Sequence, residues 1–157
     1  MIAGNYLRSI NFGRLFSRDA GTWSSMRHPK VIEWEKRLQA AFDRVDERLE
    51  AKYGARFPRH PARPVHGATA RREHDGLFNV GAAFSAGIGS RHGANYAVEV
   101  RIMTLSRIPA DVRRQIEDDA AGMLREELPD FFPGRDLRVE REGHIYRIVG
   151  DLSLGRA

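Results

Sequence analysis

The stretch FNVGAAFSAGIGSRHGANYAVEVRIM, residues 78–103, decides the fold. Its apolar period is two. Phe78, Val80, Ala82, Phe84, Ala86 and Ile88 alternate with small or polar neighbours. After residues 90–94, Tyr96, Val98, Val100 and Ile102 alternate with Ala97, Glu99, Arg101 and Met103. Alternation places every second side chain on one sheet face, and two such runs joined by a Gly-rich turn predict a long antiparallel hairpin. Gly81, Gly87 and Gly89 share the opposite face, where missing side chains admit a ligand, a helix or a second subunit.

On either side of this hairpin the period changes to that of a helix. Upstream, Val31, Trp34, Leu38, Ala41, Phe42, Val45, Leu49 and Tyr53 recur at steps of three and four, and Pro29 and Gly54 suit the two ends. Downstream, Val112, Ile116, Ala120, Met123, Leu124 and Leu128 mark a second stripe over 109–128, between Pro109 and Pro129. Beyond Phe131-Phe132-Pro133-Gly134, Leu137 and Val139 should face Tyr146 and Ile148 across a Glu142-Gly143 turn. The order α-β-β-α-β-β predicts a two-layer α+β sandwich: two amphipathic helices on one face of a four-stranded, largely antiparallel sheet. The periodicity leaves strand order open.

At 157 residues and 41% hydrophobic, the chain has the size of one domain with its own core. Residues 29–157 are expected to form that domain, and residues 1–28 a flexible basic N-terminal arm. A docked arm and a targeting segment are the other readings of that start. Zero cysteines exclude disulfides, thiolate metal sites and cysteine nucleophiles. With no apolar run long enough to span a bilayer, a cytoplasmic location is expected.

The net charge of +5 is unevenly divided. Residues 1–29 carry +3, residues 30–53 carry 0, residues 54–75 carry +3, and residues 76–157 carry −1. In the basic segment at 55–75, Pro58, Pro61 and Pro64 repeat at the polyproline II interval, so it reads as an extended Pro/Arg connector. Arg56, Arg59, Arg63, Arg71 and Arg72 would offer it several phosphate contacts.

Gly87, Gly89, Ser90, Arg91 and His92 form a second candidate anion site, since backbone N–H groups of a glycine loop converge on a negative charge. The loop lacks the third glycine of a dinucleotide fingerprint and joins two strands rather than a strand and a helix. A plain exposed hairpin loop that needs positive φ is the commoner explanation of such a segment. His60, His66 and His74 lie near the connector without zincin spacing or a carboxylate cluster, so neither a metal nor another cofactor is expected. No serine-nucleophile elbow is present, and Glu73-His74-Asp75 point alternately in an extended chain, so no catalytic residue is assigned.

Three functions fit. The first is a non-catalytic domain that binds an anionic partner, nucleic acid or a phosphorylated ligand, through the connector and the Arg91 loop. A homo-oligomeric interaction or scaffold domain is the second. The third is a small enzyme acting on a phosphorylated or carboxylated metabolite beside Ser90, Arg91 and His92.

Overall fold

The computed structural model describes residues 28–154, so the N-terminal arm lies outside the described residues. The first helix, α1, spans Pro29–Tyr53. The hairpin strands are β1, Phe78–Ser85, and β2, Asn95–Ile102. Helix α2 spans Ala110–Phe131, and β3, Leu137–Glu142, pairs with β4, Ile145–Gly150. All pairs are antiparallel, in the order β1-β2-β4-β3. This is the α+β arrangement that the periodicity predicts.

One sheet face builds the core. Phe78, Val80 and Ala82 lie opposite Ile102, Val100 and Val98, and Ile148 continues that face between Tyr96 and Val139. Trp34, Leu38, Phe42, Val45 and Leu49 of α1 and Ile116, Leu124 and Leu128 of α2 close over it. Each such side chain contributes about 1.5–3 kcal/mol when fully buried. Phe132, just past the end of α2, packs its ring against Trp34 at 4.5 Å with the two planes tilted by 48°.

Three boundaries differ from the sequence reading. β1 stops at Ser85, before Gly87 meets the backbone of Gly93 across the neck of the 86–94 loop, and Ile88 at its tip is 96% exposed. Helix α2 runs past Pro129, which removes an N–H from the ladder near its end, and the Phe132 N–H closes the last turn on the Leu128 carbonyl (2.9 Å). The last hairpin turns at Gly143-His144 rather than Glu142-Gly143, so Val139 faces Ile148 and Arg141 faces Tyr146. Gly143 takes φ +64°, which a two-residue hairpin turn requires at its first position. The shift is by two residues, so each side chain keeps its face.

Candidate functional site

The connector is not an extended polyproline strand. It turns repeatedly after Tyr53, ends in a short 3-10 helix at Arg72–His74, and lies back along α1. Its outer end is tied to the chain just after β2: the His60 N–H donates to the Met103 carbonyl (2.8 Å), and the Thr104 hydroxyl donates to the Pro58 carbonyl (2.6 Å). Its middle is held by Arg63. That guanidinium donates to the carbonyls of Gly76 (2.9 Å), Glu73 (3.0 Å), Asp75 (2.5 Å) and Phe78 (3.1 Å). A planar fork with five donors suits a curved run of carbonyls, so Arg63 fastens the connector to the start of β1.

Under the connector lies a buried ionisable centre. Asp46 and Glu50, one turn apart on α1, face His66 and Asp75 of the connector. Asp46 is 2% exposed and Asp75 0%. One Glu50 oxygen accepts the N–H groups of Leu77 and Phe78, the latter at 3.0 Å, and so caps the first residues of β1. The Thr69 N–H and hydroxyl both donate to Oδ2 of Asp75 at 2.9 Å. His66 Nδ1 stands 3.6 Å from Asp75 Oδ1 and 3.9 Å from Asp46 Oδ1. These three atoms are buried and have no hydrogen-bond partner.

Burial pushes the Asp46 carboxyl up to about 8, reinforced by the charges of Glu50 and Asp43. At Asp75 burial also opposes charge, but the Thr69 hydrogen bonds outweigh it and hold that carboxyl below its usual range. A mixed-charge cleft of about 260 Å³ opens between α1 and the connector, lined by Gln39, Asp43, Arg71, Arg72 and Glu73.

The candidate residues divide into three groups. Arg63 is turned inward, as described. Arg72 pairs with Glu47 (3.3 Å), and Arg71 lies 3.8 Å from Glu73. Arg56 and Arg59 stay exposed. Arg56 lies over the rings of Tyr53 and Phe57 (6.0 and 5.7 Å), the Arg59 Nε donates to the Arg63 carbonyl (2.7 Å), and neither is paired with an acid among the described residues.

In the hairpin loop, the Arg91 N–H donates to Oε1 of Glu142 (3.2 Å), with the Ser90 hydroxyl 3.5 Å from the same oxygen. His92 lies 3.5 Å from Glu140, and the Arg91 guanidinium reaches the Arg141 carbonyl (3.4 Å). Glu142 is also paired with Arg147. The Arg91 amide and the Arg147 guanidinium hold its carboxyl below the usual range against some burial. A carboxylate of the chain itself therefore sits where the loop's donors converge. Gly87 donates its N–H to the Ser85 hydroxyl (3.2 Å), and Gly89 lies at the exposed tip.

Connector and loop lie at opposite ends of the β1–β2 hairpin, separated by eight strand residues, or about 25 Å. They are two surfaces, not one site. The buried centre was not legible from histidine spacing, because His66 meets its carboxylates across the fold. A signal was present all the same: Asp46 falls four residues after Phe42 and three before Leu49, inside the apolar arc of α1.

Residues 29–150 match a protein family described as "Uncharacterised protein". A relative from Borreliella burgdorferi, described as "Uncharacterized protein", is 35% identical over 125 residues, which is 80% of this chain and 98% of that protein. No solved structure matches. No described helix is long and apolar enough to cross a membrane. The family match takes in both helices, the connector over the buried centre and all four strands, and the chain belongs to this uncharacterised protein family.

Proposed function

We propose that this is a binding domain without a catalytic centre, and that the outer surface of its connector contacts an anionic partner, nucleic acid in the first place. The observation that carries the reading is the division of labour among the connector arginines. Arg63 is committed to four carbonyls, while Arg56 and Arg59 remain exposed and, among the described residues, unpaired with any carboxylate. A connector held in a single shape presents these charges without paying the ordering entropy of a loose chain. The half-buried Phe57 ring beside Arg56 adds flat surface of the kind on which bases stack.

Glu142 already satisfies the donors of the 86–94 loop, so the loop is secondary in this reading. Binding of a labelled single-stranded RNA of about 20 nucleotides, followed by fluorescence anisotropy between about 50 and 200 mM salt, tests it. Affinity falling steeply with salt is expected, and absence of binding at the lowest salt overturns the proposal.

A second reading is favoured by the outer face of β1. A Cβ placed on Gly81 would have no atom within 4 Å. That uncovered, small-residue surface suits contact with a second copy of the chain.

A further inference from the structure

The buried centre is unusual in holding three polar atoms, one each on Asp46, His66 and Asp75, that are hidden from solvent and make no hydrogen bond. Buried lone pairs without a donor cost free energy, and native structures rarely leave several together. The unpartnered oxygens belong to side chains at least nine-tenths buried, and both approach the same imidazole nitrogen. An electrophile placed among them would satisfy all three. We propose that Asp46, Glu50 and His66 bind a single divalent transition-metal ion, with Asp75 as the adjacent fourth donor.

The geometry fits an ion of this kind. Donor atoms of Asp46, Glu50 and His66 lie within 4.8 Å of one another. Two ligands each held about 2.0–2.2 Å from one ion stand roughly 3–4.4 Å apart, depending on the coordination angle. The 3.6 and 3.9 Å separations around His66 fall inside that window, and closure of a few tenths of an ångström brings in the remainder.

Charge fits as well. With any proton displaced by the ion, Asp46, Glu50 and Asp75 bring three negative charges, and the Arg63 guanidinium acts on all three. Its donors go to backbone carbonyls rather than to the carboxylates, so it offsets one charge without filling their lone pairs. The net −2 suits a dication. One imidazole with carboxylate oxygens selects zinc, manganese or iron over calcium or magnesium. His66 retains 28% side-chain exposure, which leaves the ion a way in.

Bound there, the ion would join α1 to the connector and hold the surface that carries Arg56 and Arg59. The site stands independently of whether that surface binds nucleic acid.

The test uses the untagged full chain, stripped with EDTA, exchanged into metal-free buffer, and titrated with Zn2+ and separately with Mn2+ by calorimetry. Expected are saturation at one equivalent and a rise in Tm on metal addition. Asp46→Asn and His66→Gln should each weaken binding about tenfold or more, while His74→Gln, at an exposed histidine, leaves it unchanged. Asp46→Asn keeps the side-chain shape and removes the carboxylate ligand, so it decides the matter even if His66→Gln fails to fold. The absence of one-equivalent binding by the wild type overturns the proposal, and so does binding that survives in Asp46→Asn.

Discussion

A Cβ placed on Gly76 would stand 3.0 Å from the carboxyl carbon of Glu50, at a position where the backbone already takes φ +72°. Gly76 lets the connector close onto α1 while Glu50 caps the N–H groups of Leu77 and Phe78. Both the conformation and the space are forbidden to a side chain. Gly76→Ala should therefore cost about 2–4 kcal/mol, read as a lower urea midpoint with an unchanged m-value. A loss below about 0.5 kcal/mol contradicts this closure.

Arg63→Lys separates an internal fastening from a surface phosphate contact. Lysine keeps the charge but cannot reach four carbonyls with one ammonium group. Stability should drop by about 2–3 kcal/mol, with faster hydrogen exchange at Gly76, Leu77 and Phe78. A variant with wild-type stability and exchange would put Arg63 back among the surface cations.

At the C-terminal end of α1, Asp119 of α2 accepts from Lys52 (2.7 Å) and from the Tyr53 hydroxyl. Burial opposes its charge, but these two hydrogen bonds and the Lys52 charge outweigh that and hold it below the ordinary aspartate value of 3.8. Its contribution is therefore complete above that value and is lost as pH falls through the lower folded-state value. Asp119→Asn should cost roughly 1 kcal/mol at pH 7 and nothing once both states are protonated. Chemical denaturation at pH 7 and near pH 2 checks it, and a constant difference between the two contradicts it.

Gly81→Val tests the second-copy reading. Valine suits a strand, and the added atoms meet nothing within the chain, so the folded domain should be as stable or up to about 1 kcal/mol more so. If β1's outer face is an interface, native mass spectrometry shows the wild type as a dimer and this variant as a monomer. An unchanged mass in both removes that interface.

The elements that α1, α2 and the β1–β2 hairpin form were legible because each buries one face, and burial imposes a period on Val45, Leu49, Phe78 and Val80. The order β1-β2-β4-β3 was not, since antiparallel neighbours on one sheet leave no mark of adjacency in the sequence. The connector misled for a different reason. Pro58, Pro61 and Pro64 favour an extended chain locally, but the fork of Arg63 and the cap of Glu50 bind backbone groups, whose positions no residue pattern encodes. For the same reason the five connector arginines looked equivalent. Their roles depend on direction, with Arg63 inward, Arg72 on Glu47, and Arg56 and Arg59 outward. The likeness of Asp43, Asp46 and Glu50 to an ordinary charged helix back hid the buried centre, although Asp46 broke the apolar arc.

Charge reversal on the connector tests the central claim most directly. The double variant Arg56→Glu/Arg59→Glu leaves the Arg63 fork and the core untouched and removes only the exposed bond from Arg59 to the Arg63 carbonyl, so its Tm should stay close to that of the wild type. Against single-stranded RNA, the account predicts affinity weakened by at least about tenfold. It also predicts a plot of log affinity against log salt shallower by about 1.4, the share of two phosphate contacts. An affinity and a salt dependence equal to those of the wild type would contradict it.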